Sequence, residues 1–538
     1  MTEVSSTEIT EQDKNFELQE ELSEAISRQL LSRLEVRTWD FASQGGAQSP
    51  AFELAERDRI RLAEEVGKTR LKVHSALQTF PLGDETAHLA AFFSGLEEYQ
   101  YLATQVAALK IIFTKFSPAN NRGTRSQRSL AQSVFFGSIA NLYCVDRERR
   151  KGKATQGEAG NLLYNNTVYG RYMSEVDFQD FYHEVRRIFN VPSDTMEFGV
   201  VNSGMAADVV ANLVIQKFVG DGRLLICDDE NRYYEHTWAK KLDSDAAFAL
   251  STRPDTESIE AGEPVVVLEK IRESLRGGGY VLVRTDIVGN TKNFGTSEFL
   301  KDEVLEKYAS LPEDQQERLM FLVDATLHPG IDLRELQALL PKKCLLIVTS
   351  SMNKYHQMGF DFGGLGVVVV RSVESGERIG LKDFMIFGGL ASSPQTLSIM
   401  EVVCSKELFD SRMRIITRNS SVLLDSLLDG GIEAKGIEVD DRVSVPDLVG
   451  GLISVPQLGK VKISLLINDL NKEGIQVDNR TSFGHNYTAI EDVHQTDWSR
   501  ISVGIEDVAT IKKIATKIQE ILALADKEAE ERLGAYGS

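Results

Sequence analysis

Residues 321–364 read FLVDATLHPGIDLRELQALLPKKCLLIVTSSMNKYHQMGFDFGG. An apolar run ends in a lone acid, Asp324. A second run, CLLIV, leads into Thr349, Ser350 and Ser351, and Lys354 follows. Near-continuous apolar runs of this length are how buried parallel strands are written, and ligands of such sheets sit beyond the carboxyl ends of the strands. The acid, the hydroxyls and the lysine fall at those ends. Together they are the parts of a pyridoxal phosphate site: an amine to bind the aldehyde, a carboxylate for the pyridine nitrogen and hydroxyls for the phosphate. Alone, the same residues fit two ordinary α/β strands with a surface lysine between them.

Companions elsewhere in the chain favour the site. Asn202-Ser203-Gly204-Met205-Ala206-Ala207 precedes DVVANLVIQKF, whose apolar residues recur at three and four. Small residues at a helix start leave backbone N–H groups exposed, and the helix dipole adds partial positive charge, which suits a phosphate. After the strand-like GRLLICDD comes Arg232-Tyr233-Tyr234-Glu235-His236-Thr237, with aromatic faces able to stack on a planar ring or to pack in a core.

At this point the chain resembles the Cys/Met-metabolism pyridoxal phosphate enzymes: the cystathionine synthases and lyases and methionine γ-lyase, of fold type I. The likeness is carried by SGMAA, Tyr234 followed by His236-Thr237, VDAT, Ser351 to Lys354, RISVGIED and the Tyr169-Gly-Arg171 of TVYGRYMSEVDF. It covers residues from about 160 to 525. It implies a mostly parallel central sheet in an α/β fold of the transferase type, with a smaller C-terminal α/β domain. It also implies that Lys354 holds the cofactor and moves protons, that Asp324 keeps the ring nitrogen protonated, and that Tyr234 stacks on the ring and acts as an acid or base. Ser203, Gly204, Met205 and Ser351 would bind the phosphate on the same chain. Tyr169 and Arg171 would reach the phosphate of a neighbouring subunit, so a homodimer or homotetramer is expected; the planar fork of arginine suits that task. Arg500 would take the substrate carboxylate, with Ser482 of TSFGHNY beside it.

Several positions depart from the family pattern. Asn353 stands before the lysine where threonine is usual. Arg284-Thr-Asp-Ile-Val-Gly-Asn290 replaces Glu-Thr-Pro-x-Asn-Pro, which leaves Asn290 at an altered spacing from the cofactor hydroxyl. His356, Gln357 and Met358 follow the lysine and are expected to bring unusual side chains near it. These changes suggest a specialised substrate.

The 538-residue length allows several domains. The pattern divides them into a helical N-terminal extension over 1–150, a large cofactor-binding α/β domain with its interface arm over 151–400, and a small α/β domain over 401–538. Strands are expected at LLICD, YVLVRTDI, LMFLVDAT, CLLIVTSS and GLGVVVVRS, and in the small domain within SVPDLVGGLISV and KVKISLLIND. One closing helix is expected in DVATIKKIATKIQEILALADKEAEERL, and an extra surface helix before LMFLVDAT. A net charge of −20 without a basic patch argues against nucleic acid as a partner. Cys144, Cys227, Cys344 and Cys404 lack metal or redox spacing and read as reduced, mostly buried thiols, so no metal is expected. No apolar run is long enough to cross a bilayer, and the polar, acidic first residues resemble no targeting segment, so a cytoplasmic location is expected. The expected partner is a small amino-acid substrate. The expected activity is elimination or replacement at Cγ, or elimination at Cβ, with loss of a γ-halide to leave a terminal alkyne as a special case. Aminotransferase or decarboxylase chemistry, or a catalytically inactive scaffold, are the alternatives.

Overall fold

Leu319–Asp324 (β5) and Leu345–Ser351 (β6) form the middle of a seven-stranded sheet, and every residue of both is buried. The computed structural model describes residues 178–534, with 193–194, 230–255, 261–263, 290–293, 295, 358–362, 372–378, 394–395, 398–399, 401–403, 438–447, 449, 476, 481, 486 and 494–496 left out. The 1–150 extension, Tyr169, Arg171, Tyr234, Asn290, Met358 and Cys144 lie outside the described residues.

The sheet is completed by Met196–Val201 (β1), Leu224–Asp228 (β2), Thr256–Glu260 (β3), Tyr280–Asp286 (β4) and Gly366–Arg371 (β7), in the order β1-β7-β6-β5-β4-β2-β3. Pairing is parallel from β3 through β6. The α/β class and the mostly parallel sheet expected from the sequence are therefore present. One strand runs otherwise: β7, read as one more strand of a βαβ alternation, is antiparallel to both β6 and β1. Its VVVV run is buried on both faces, and such a run carries no mark of direction.

Alternate residues of each strand explain why both faces are covered. Met320, Leu322, Ile347, Val368 and Val370 pack against Ala207, Val210, Ala211 and Val214 of the helix Gly204–Val219. Phe321, Val323, Leu346, Val348, Val367 and Val369 face the opposite layer, which includes Tyr308, Leu333 and Leu336. Each such side chain stabilises by about 1.5–3 kcal/mol. The expected surface helix is Asp302–Ala309, followed by a short turn at Glu313–Gln316.

A second, four-stranded antiparallel sheet contains Lys435–Gly436 (β8), Leu452–Pro456 (β9), Ala489–Asp492 (β10) and Trp498–Ser502 (β11), ordered β10-β11-β9-β8. Ile453, Val455, Ile490 and Ile501 turn one face toward Ile463, Leu466, Ile511 and Ile514. The other face carries Ser454, Arg500 and Glu491, which the ladder register aligns and which are all buried. KVKISLLIND, read as a strand, is instead inside the helix Gly459–Lys472. Its alternating apolar residues mimic a strand, but the helix buries Ile463, Leu466 and Leu470 at spacings of three and four against the second core. SVPDLVGGLISV yields β9 at its end. The closing segment is two helices rather than one, Val508–Leu522 and Asp526–Gly534. Asp507 caps the first by accepting the Thr510 N–H at 2.8 Å.

Cys227, Cys344 and Cys404 are free and buried, as read from the sequence. Among the described residues, no helix is long and apolar enough to cross a membrane.

Candidate active site

Register brings the strand ends together. Asp324, the last residue of β5, is the ladder partner of Thr349 in β6 and of Asp286 in β4. The turn after Asp324 is built by its own carboxylate, whose Oδ1 accepts the Thr326 N–H at 2.7 Å. Thr326 Oγ1 then accepts the Ser351 N–H at 2.8 Å, tying the β5 and β6 ends to each other.

The helix Gly204–Val219 starts against that junction. Ser203 is its N-cap, and its hydroxyl accepts the Ala206 N–H at 3.0 Å, so the cap engages neither the Gly204 nor the Met205 amide. Gly204 touches Ser351 closely: a Cβ there would lie 2.8 Å from the Ser351 Cβ. Glycine at 204 therefore lets first-turn amides and the Ser351 side chain share one corner, which is the donor set a phosphate requires. Met205 is half-exposed beside it. Asp208, one turn on, accepts a 2.9 Å hydrogen bond from Thr349 Oγ1, fixing helix to strand.

Beyond β6 the chain turns through Asn353 and Lys354. Asn353 Oδ1 accepts the Leu365 N–H at 2.6 Å and the Gln357 amide at 3.1 Å, so that oxygen braces the loop. Lys354 Nζ donates to Ser482 Oγ at 2.9 Å and lies 4.9 Å from the centre of the Phe483 ring. Arg500 Cζ is 5.4 Å from the same ring. Glu491, directly across the ladder from Arg500, accepts from Arg500 Nη2. Burial pushes the Glu491 carboxyl up, against the pull of Arg500 and Lys354 and with a small further push from Asp492.

This arrangement is pinned from below. Arg412 is fully buried and donates to Tyr355 O at 3.0 Å, Gly484 O at 2.7 Å and His485 O at 3.2 Å. It thereby clamps the lysine turn to the turn after Ser482. Gly484 sits at φ +80, and a Cβ there would lie 2.1 Å from Lys354 O, so the two backbones meet only because residue 484 is glycine.

Of the residues expected from the sequence, Lys354, Ser482 and Arg500 share one cluster, and Ser203, Gly204, Ser351 and Asp324 share the adjoining strand-end corner. Tyr169, Arg171, Tyr234 and Asn290 lie outside the described residues. One expectation is corrected. His356 is stacked between Phe189 (5.1 Å) and Phe409 (4.9 Å), and burial, aided by Arg412, lowers its pKa to about 3. It is a neutral aromatic slab of the core, because a buried ring between two aromatic faces gains more from packing than from charge. Gln357 Nε2 donates to Asn353 Oδ1 and to Gly363 O at 2.6 Å. His356 is therefore taken up by the core, while Gln357 braces the loop next to the lysine.

Phe483, Glu491 and Arg412 were not legible from the sequence. Phe483 follows Ser482 in TSFGHNY, where a lone aromatic reads as packing. Glu491 and Arg412 stand in amphipathic segments where a charge reads as solvated.

No protein-family model matches the chain, and no curated protein sequence matches it. Similar solved structures include cystathionine gamma synthase from Xanthomonas oryzae pv. oryzae in complex with aminoacrylate and cysteine, at 16% identity over 74% of this chain and 98% of that one, TM-score 0.48. Cystathionine gamma-lyase from yeast is similar at 15% identity over 67% and 89% of the two chains, TM-score 0.48. Methionine gamma lyase from Micromonospora echinospora is similar at 16% identity over 65% and 88%, TM-score 0.46.

Proposed function

We propose that the chain is a pyridoxal-phosphate-dependent enzyme acting on an α-amino acid, with γ-elimination or γ-replacement as the favoured chemistry and β-elimination as the shorter route. The observation that carries this reading is the convergence of Lys354, Ser482 and Arg500 beside the corner built by Gly204, Ser351 and Asp324. The donor set matches the cofactor's chemistry. First-turn amides and the Ser351 hydroxyl suit a phosphate, a buried carboxylate suits a protonated ring nitrogen, and a lysine suits an aldehyde. The glycine-only contact between residues 204 and 351 brings those donors close to one another.

When bound, pyridoxal phosphate supplies an electron sink for negative charge developing at Cα. The chain supplies the rest. Lys354 Nζ, held by the Ser482 hydroxyl, is the group that anchors the cofactor and carries protons between Cα and Cβ. Asp324 would hold the ring nitrogen's proton; a charge-assisted hydrogen bond of this kind is worth roughly 1.5–3 kcal/mol. Arg500 would orient the substrate by its carboxylate, and the Phe483 ring, against both Arg500 and Lys354, would help to exclude water there. The resemblance assigns further roles to residues outside the described ones: Tyr234 would stack on the ring, Asn290 would reach its hydroxyl, and Tyr169 and Arg171 would complete the phosphate site of a neighbouring subunit, in which case the active form is at least a dimer. A narrower version has halide leaving from the γ-carbon of a vinylic amino acid to give a terminal alkyne; a purified enzyme that leaves a chlorinated allylglycine untouched removes it.

The test is the visible absorption of the purified full chain and of Lys354→Ala, with pyridoxal phosphate and then with γ-substituted amino acids. A yellow wild type whose band changes on loss of the lysine, with keto acid or replacement product released, supports the proposal. A protein that stays colourless with added cofactor overturns it.

A further inference from the structure

Arg500, assigned above to the substrate carboxylate, already holds a carboxylate. Glu491 is its ladder partner across the β10–β11 pair, and Glu491 Oε1 accepts from Arg500 Nη2. Directly opposite residues of an antiparallel pair project from the same face with Cβ atoms about 5 Å apart, so pairing of the two strands keeps these side chains together. Both are buried. A buried ion pair can be a simple strut, but two features set this one apart. First, it adjoins the lysine: the Phe483 ring touches both Lys354 and Arg500, and the Lys354 charge acts on the Glu491 carboxyl. Second, the contact joins one guanidinium nitrogen to one oxygen, whereas Arg284 grips Asp228 fork to fork through Nε and Nη2.

The charges then set a condition on binding. A substrate carboxylate arriving at Arg500 brings a second anion to the same guanidinium, and two carboxylates at one site repel unless one moves or takes a proton. Glu491 can do the latter, because burial holds its carboxyl above the ordinary range; Arg500 in β11, Lys354 beyond β6 and Asp492 in β10 are the charged groups that act on it.

We propose that Glu491 is a specificity-determining residue: an internal carboxylate that occupies Arg500 and must release it before a substrate carboxylate can bind. The proposal rests on the reading of Arg500 given under Proposed function. Its consequence is selectivity. A bare monocarboxylate has nothing to offset the displacement of Glu491, whereas an amino acid also engaged at its amine and side chain does.

The experiment is titration calorimetry of the full chain with propionate, at mildly acidic and mildly basic pH, for wild type, Glu491→Gln and Arg500→Ala. Glu491→Gln is expected to bind propionate at least about tenfold more tightly than wild type, a gain worth ~1.4 kcal/mol, and to lose the pH dependence. Wild-type binding is expected to weaken as pH rises and to take up a proton, read from buffers of different ionisation heat. Equal or weaker binding by Glu491→Gln overturns the proposal, since Glu491 then only orients Arg500. Binding unaffected by Arg500→Ala overturns it as well, and so does the absence of propionate binding in both wild type and Glu491→Gln. Should Glu491→Gln misfold by near-ultraviolet circular dichroism, Glu491→Ala serves the same comparison, and absence of proton uptake by wild type is by itself decisive against. Cofactor uptake in the same samples separates the two ideas. A chain that stays colourless yet binds propionate more tightly as Glu491→Gln overturns the functional reading and leaves Glu491 in its role; a coloured chain indifferent to Glu491 does the reverse.

Discussion

Two arginines of this chain each sit opposite a carboxylate one strand away, and they differ in what surrounds them. Arg284 in β4 is the ladder partner of Asp228 in β2, in the parallel sheet, and the two groups meet through two parallel bonds. Arg500 in β11 is the ladder partner of Glu491 in β10, in the antiparallel sheet, and beside it lie an aromatic ring and the lysine. The first pair is closed fork to fork, the two charges meeting with matching shape. In the second, burial favours the neutral carboxyl while Arg500 and Lys354 favour the charged one. A closed pair belongs to a scaffold; a balanced pair can respond to an incoming charge.

The contrast can be broken by substitution, and the largest effect is expected at the closed pair. Arg284→Ala leaves Asp228 buried without its fork and should cost about 3–5 kcal/mol in urea unfolding of the full chain. Replacing both partners, as Asp228→Leu with Arg284→Met, should recover most of that loss. Arg500→Ala should cost clearly less than Arg284→Ala, because Glu491 can take up a proton; equal losses would mean that the two pairs are both struts.

A third buried carboxylate extends the series to a group without an arginine among its influences. Glu506 accepts the Thr488 N–H, and burial pushes its carboxyl up from 4.5 to about 7. The folded state therefore holds a proton that the unfolded chain has released between those values. The associated stability is present in full below about pH 4.5 and is lost as pH rises through 7, by roughly 3 kcal/mol. Glu506→Gln should flatten that slope, measured as the urea midpoint against pH.

Function gives a smaller effect in energy. Arg500→Ala should raise KM for the amino-acid substrate roughly 10- to 100-fold, the loss of one charge-assisted contact, with cofactor uptake intact. Loss of cofactor instead would make Arg500 structural. The smallest expected effect is at the helix start, where Ser203→Ala removes a cap worth about 1 kcal/mol and should be seen as a small shift in thermal midpoint.

How much of this was legible follows from the range of the interactions. The strands at 319–324 and 345–351 and the capped start of the helix at 204 are local patterns: apolar runs, a capping hydroxyl and small residues at a helix start. The direction of β7 and the helical state of KVKISLLIND were misread, because a run buried on both faces and a short alternating segment each fit two periods. His356 was read as a neighbour of the lysine on sequence proximity, whereas two core aromatics hold its ring elsewhere.

By itself the sequence determined the α/β class and pointed to the residues proposed to hold the cofactor, since strand ends, small residues at a helix start and a lysine after hydroxyls are written within a few positions of one another. Only the tertiary structure decided that Glu491 faces Arg500, that Phe483 lies against both Arg500 and Lys354, and that Arg412 clamps the lysine turn. Each of those depends on strand register or on packing between segments far apart in the chain, and a shift of one residue in register turns every side chain of a strand to its other face.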